Sequence, residues 1–346
     1  VTVISHVIDY GAQTGGSFIP ALNALARALT VRGDRLIVLA SDVPDATWPE
    51  ELSHAGADVR LIRNEKQLIS ALRSAQPDIV HAHFTRFDLA AVRAVPRARI
   101  FWHVHSHREN HSALAKLKAL AKYRLAGRRV ECFVTVSETM RDECVAWFAD
   151  PQRIRVIHNA IDPVRFRPPS EPERAIARSS YGISPHDRAV LFFDRVAYKG
   201  ADTVRKAAAL LPDVHFVIAG ATGASRERFL EVPNAVTVDR VDDARQLYWA
   251  VDALVFASNA EAFGLVLIEA LACGLPIAAS DIRIVREICG GLESVCVFPP
   301  GDSAALAQAV KQALKQPYCG AGRTRVLDAF SLERWTADML RLYGAD

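Results

Sequence analysis

Short apolar runs rich in Val, Ile and Phe alternate with longer amphipathic stretches along the whole chain, and that alternation leaves few folds open. It is the mark of repeated strand–helix units and of parallel sheets. In the first half the strand candidates are Val1–Ile8, Leu36–Ala40, Val59–Ile62, Ile79–His83, Ile100–His105, Cys132–Val136 and Ile154–Ile157, with helical patterns over Ser17–Arg32, Glu65–Gln76 and Thr139–Phe148. In the second half they are Val190–Phe193, His215–Ala219, Val236–Val238, Ala253–Ala257, Pro276–Ala279 and Val295–Phe298. Each half therefore reads as a Rossmann-like α/β domain.

A chain of 346 residues, half of them hydrophobic, is too long for one core and suits two domains. The junction is Asp162–Pro172, where Pro163, Pro168, Pro169 and Pro172 favour an extended linker. The expected division is 1–165 and 166–329, with the helical stretch 330–346 packing back on the first domain. Two open sheets joined in this way would leave a cleft between their carboxyl edges, where ligands of such sheets bind. A net charge of +3 without a Lys/Arg tract gives no reason to expect nucleic acid. The six cysteines include no Cys-x-x-Cys pair and several sit in apolar runs, which predicts core thiols in a reduced, cytoplasmic protein. No signal peptide or bilayer-length apolar run is read within these residues, which leaves room for a short leader trimmed ahead of Val1.

The stretch Ser258–Pro276 carries the chemistry. Leu265, Val266, Leu267, Ile268, Ala270 and Leu271 surround Glu269 on every helical face, so its carboxylate should be buried and in need of donors. A ligand with vicinal hydroxyls would supply them, while Gly264 would let the helix N-terminus approach a phosphate. A structural Glu satisfied by the protein is the alternative.

Glu261, seven residues, Glu269, and then Ala-x-Ala-Cys-Gly-x-Pro resembles the signature of the family-four retaining glycosyltransferases. Further matches follow the same order along the chain: Gly15-Gly16, Pro77–His83, Val156–Asp162 with Phe166, and Arg195 with Lys199-Gly200. The resemblance implies the GT-B fold, two Rossmann-like domains whose parallel sheets face a central cleft. It implies transfer of a sugar, with retention, from a nucleoside diphosphate sugar to an acceptor hydroxyl, with no metal and no cofactor. Uridine diphosphate sugars are the first donors to try; the acceptor is a glycan, a lipid-linked sugar or a small molecule. Glu261 would hold hydroxyls of the transferred sugar and Glu269 the ribose, and amides of Phe263, Gly264 and Leu265 would meet the diphosphate. Arg195 and Lys199 would neutralise the leaving diphosphate. Gly15 and Gly16 would lie beside the phosphates and the acceptor, with Ser17 as helix cap. His105 is the expected contact to the transferred sugar, with His103 and His107 as fallbacks. The chain departs from the pattern at Asp194, where Gly is usual, and at Asp239-Arg240.

Six of eleven histidines crowd into one window: His81, His83, His103, His105, His107 and His111. The triplet His103, His105 and His107 raises a metal site, but no Asp or Glu lies between its histidines, and no metal is expected. His81 and His83 are expected to be satisfied histidines of a polar cleft. Residues 112–129 carry six cations, no acid, and leucines at 114, 117, 120 and 125, a pattern that suits a core helix with a basic face or peripheral contact with the inner face of a membrane. The rival readings are a GT-B epimerase of nucleotide sugars, a histidine-rich metallohydrolase and a non-catalytic nucleotide-sugar binder.

Overall fold

The computed structural model describes residues 1–84, 86–106, 113–194, 197–239, 241 and 243–344. The chain divides into two compact units, Val1–Ala160 with Leu332–Asp346, and Ile161–Ser331. The break falls at 160/161 rather than 165/166 because the segment after Ile161 is tied to the second unit. Ile161 N–H donates to the Phe330 carbonyl at 3.0 Å, and the Arg323 guanidinium donates to the carbonyls of Pro163 and Phe166, both at 3.0 Å.

In the first unit β1 (Val3–Ile8), β2 (Arg35–Ser41), β3 (Asp58–Ile62), β4 (Ile79–His83), β5 (Arg99–Val104), β6 (Cys132–Thr135) and β7 (Ile154–Val156) form one parallel sheet in the order β3-β2-β1-β4-β5-β6-β7. The chain leaves β1 towards one edge and restarts at β4 on its other side. Loops above β1 and β4 therefore diverge and open a crevice at the carboxyl ends of the strands. The register sets His6 beside His81, and His83 beside His103. Helix Phe18–Val31 buries Ile19, Leu22, Leu25 and Leu29, and the core they belong to also takes in Trp335, Met339 and Tyr343 of helix Leu332–Tyr343.

In the second unit β8 (Arg188–Phe193), β9 (Val214–Ala219), β10 (Ala235–Val238), β11 (Ala253–Phe256), β12 (Ile277–Ser280) and β13 (Val295–Phe298) form a parallel sheet in the order β10-β9-β8-β11-β12-β13. The order reverses between β8 and β11, which places the switch point there. Both units are thus Rossmann-like, as the alternation of runs predicts.

Three local expectations are corrected. Pro172 lies in the first turn of helix Glu171–Ser180, where its missing N–H costs nothing and a Ser170/Glu173 capping box starts the helix. Ser17 stands at the N-cap of its helix but its side chain makes no capping hydrogen bond. The basic helix runs Ala113–Ala126 and tightens into a 3-10 turn at Gly127–Arg129. The cysteines are free, and no helix among the described residues is long and apolar enough to cross a membrane.

Candidate active site

The β8–β11 switch point brings two loops together. Gly200, after the first loop, has φ +81, and a Cβ there would lie 2.2 Å from the Ala257 carbonyl oxygen. Only glycine lets the chain pass so close to the end of β11. Asn259 N–H donates to the Tyr198 carbonyl at 2.9 Å, lacing the loops a second time. The result is that Lys199 Nζ donates to Glu261 Oε2 at 2.5 Å, with both side chains largely buried, and Ser258 Oγ lies 3.5 Å from the same oxygen. The ammonium also sits 5.5 Å from the centroid of the Phe256 ring. Arg195 lies outside the described residues.

Glu261 precedes the apolar helix, which runs only Leu265–Ala272 with Gly264 at its N-cap in a left-handed conformation, φ +88. The first turn of such a helix presents amides without an i−4 partner and the positive end of its dipole, the Leu267 N–H turning back to the Gly264 carbonyl at 2.9 Å, with Phe263 packed against Phe330. Glu269 is buried as expected, but it does not wait for a ligand to supply every donor. The Tyr248 hydroxyl donates to Glu269 Oε2 at 2.5 Å. Burial, reinforced by the neighbouring carboxylate, pushes the Tyr248 phenol well above its ordinary pKa, so it remains a donor. Phe193 and Phe166 wall the phenol in, which gives Phe166 a structural place in the motif. Nothing in the residue pattern pointed to Tyr248, although a tyrosine inside an apolar helix always needs an acceptor.

The two departures have separate fates. Asp194 is buried, its N–H bound to the Ala219 carbonyl and its carboxylate taken up by the Ser225 hydroxyl. Asp239 is exposed and pairs with Arg226.

In the first unit the loop after β1 is anchored from both sides. Tyr10 donates to the carbonyl of Gly15 at 3.0 Å, and the Trp48 indole donates to that of Ala12 at 2.8 Å. This fixes Gly15 and Gly16 at the first switch point. Beside them His6, His81, His83 and His103 are buried, and only His105 of this cluster is partly exposed. His6 was not among the histidines singled out from the sequence; its position opposite His81 follows only from strand order. Burial drives the pKa of His6 and of His105 down to about 3, and those of His81, His83 and His103 well below the ordinary value. Phe84 caps the cluster with its ring 4.5 Å from that of His105, and it holds φ +63, a conformation that costs a bulky residue about 1–3 kcal/mol. Among the described residues two triads, His6/His81/His83 and His83/His103/His105, bring one ring nitrogen each within 4.8 Å of one another and could hold a metal. His107 lies outside the described residues.

Residues 21–165 match the family model described as Glycosyltransferase Family 4, and residues 187–316 match the one described as Glycosyl transferases group 1. The fold is that of GT-B proteins, and each half of the chain is similar to a glycosyltransferase family. Among curated relatives it is similar to a D-inositol 3-phosphate glycosyltransferase of Mycolicibacterium gilvum, 37% identical over 148 residues, which is 39% of this chain and 33% of that one. The match thus spans about a third of that relative's length. Among solved structures it resembles the Anabaena protein HepE in complex with UDP-glucose, with a TM-score of 0.84, 17% identity and complete coverage of both chains. A Rickettsia africae glycosyltransferase gives a TM-score of 0.81 at 18% identity, covering 99% of this chain and 97% of that one.

Two outcomes are expected. Gly200→Ala should lower unfolding stability by at least about 2 kcal/mol in urea titrations, because a left-handed backbone and a backbone clash coincide there. The histidine cluster should make the fold acid-sensitive. Its rings have folded pKa values below the unfolded value of about 6.5, so their contribution is intact above that pH. For His6 and His105 it is lost between pH 6.5 and about 3, and for the other three rings it falls further below pH 6.5, at about 1.4 kcal/mol per pH unit for each ring still neutral in the native state. Unfolding free energies that stay level from pH 7 to pH 5 would contradict this.

Proposed function

We propose that the protein transfers a sugar from a nucleoside diphosphate sugar, a UDP-sugar first, to an acceptor hydroxyl with retention of configuration and without a metal. The observation that supports this most is the lacing of the β8 and β11 loops, which sets the Lys199 ammonium against the Glu261 carboxylate just ahead of a glycine-led apolar helix.

In this reading Lys199 and Arg195 neutralise the diphosphate as the bond from the anomeric carbon to its oxygen breaks. Amides of Phe263, Gly264 and Leu265 hold the same phosphates. Glu261 orients sugar hydroxyls, Glu269 with Tyr248 behind it receives the ribose, and His105 meets the transferred sugar. The acceptor oxygen bonds to the anomeric carbon from the face the diphosphate leaves, and the acceptor proton passes to the departing phosphate oxygen. The UDP-glucose bound by the Anabaena neighbour suggests a UDP-hexose donor. The name of the curated relative suggests a phosphorylated polyol as an acceptor to test.

A second proposal concerns helix Ala113–Ala126. Leu114, Leu117 and Leu125 are 62%, 63% and 83% exposed on one face of the helix, with exposed Lys118 and Arg124 flanking them. A stripe of leucines beside cations suits insertion into an anionic membrane surface, where a lipid-linked acceptor would be met.

Thermal shift against a panel of nucleoside diphosphate sugars should show stabilisation by one or more UDP-sugars. Glu261→Ala should lower kcat about a hundredfold or more while nucleotide affinity falls far less; sugar transfer at the normal rate in that variant would overturn the role. Incubating donor without acceptor separates transfer from epimerisation. The Leu117→Glu, Leu125→Glu double variant should stop sedimenting with vesicles rich in anionic phospholipid, and unchanged binding would remove the membrane proposal.

A further inference from the structure

Five imidazoles of the first unit, those of His6, His81, His83, His103 and His105, meet in two ways. Within a strand their faces stack, His81 on His83 at 4.5 Å and His103 on His105 at 4.2 Å between ring centroids. Between strands their edges meet. His6 Nδ1 lies 3.1 Å from His83 Nε2, and His83 Nδ1 lies 2.9 Å from His105 Nε2, with centroids 5.0 and 5.2 Å apart and planes inclined by only 26° and 30°. At the inner end the Tyr343 hydroxyl is 2.7 Å from both His6 Nε2 and His81 Nδ1. One line of hydrogen bonds therefore runs Tyr343, His6, His83, His105, from a buried phenol to the partly exposed ring.

While its rings are neutral, this line has two self-consistent proton patterns. A neutral imidazole carries one N–H and one lone pair, so donating at one contact forces accepting at the next. In the outward pattern Tyr343 donates to His6, and His6, His83 and His105 all carry their hydrogen on Nδ1. In the inward pattern all three carry it on Nε2, and Tyr343 donates to His81. That second pattern puts the His81 hydrogen on Nε2, which is buried with no partner among the described residues. The outward pattern has His81 Nδ1–H donating to Tyr343 and leaves only a bare lone pair at Nε2. An orphaned buried N–H is the rarer and costlier of the two. His103, whose nitrogens have no hydrogen-bond partner among the described residues, weighs equally on both.

We infer that Tyr343, His6 and His83 are positioning residues for His105, holding it as the Nδ1–H tautomer so that the nitrogen not engaged with His83 is a donor. This rests on the reading that His105 meets the transferred sugar. A neutral donor suits that place, since it can bond a sugar oxygen without setting a full positive charge against the cationic carbon that forms as the diphosphate leaves. In each of the two triads a pair of nitrogens is already engaged along this line, His6 with His83 and His83 with His105, so a metal bound there would break the relay.

The test is long-range proton–nitrogen correlation NMR of the whole chain, labelled with nitrogen-15 histidine, at pH 7.5, each ring assigned by the signal lost in its own His→Gln variant. The expected spectrum shows His6, His83 and His105 all protonated at Nδ1. Differing tautomers among the three, a shared Nε2–H form, or a charged His105 would each overturn the inference. In His83→Leu, His105 should leave the Nδ1–H form and kcat/KM for the donor should fall about tenfold, the loss of one hydrogen bond. A merely structural His83 would lower the melting temperature and leave the His105 tautomer alone. The tautomer is read without substrate, so it survives a failure of the transferase reading, and active transfer with scrambled tautomers would remove the relay alone.

Discussion

Parallel pairing throughout both sheets is the constraint from which the rest follows. It forces every strand to be followed by a crossover, so all the loops that leave carboxyl ends gather along one edge of each sheet. Where strand order reverses, at β1/β4 and at β8/β11, neighbouring loops part company and backbone groups are left accessible. Lys199 and Glu261 stand 62 positions apart in sequence and still touch, because they follow adjacent strands. The same rule stacks histidines from three neighbouring strands on one face of the first sheet.

Polar groups in these places are matched before any ligand arrives. Glu269 has Tyr248, Asp194 has Ser225 and Lys199 has Glu261. A largely buried ion pair gains little for stability by itself, since desolvation offsets much of the attraction. Its value lies in holding both groups in place: in the proposed reaction an arriving diphosphate would take over the ammonium while sugar hydroxyls take over the carboxylate, with little movement of either side chain. Arg323, binding the carbonyls of Pro163, Phe166 and Ala272, performs the same service for the segment that opens the second unit.

Much of this was legible in the residues. All the strands are found within two residues of where the apolar runs place them, because strands covered on both faces have no polar alternation to blur them. Burial of Glu269 was readable from the apolar positions around it. Its partner was not, since Tyr248 reaches it only through tertiary packing. His6 was invisible for a related reason: a single histidine in an apolar strand says nothing until the strand order puts it beside His81. The leucines of the basic helix show the limit of periodicity, which marks an apolar face and leaves open what covers it. Ser17 and Pro172 show how far short signals bend to context, one standing at a cap it does not make and the other beginning a helix it was expected to prevent.

The Gly200–Ala257 contact also bears on how such a site can diversify. Because the Gly200 Cα passes against the backbone of the other loop, residues 198–200 and 257–261 have to change as a matched pair. A graft that imports either loop from a relative with different donor preference would carry over shape without its counterpart. If the proposed transfer holds, recombination that keeps both segments from one parent is the route by which this scaffold could acquire a new sugar.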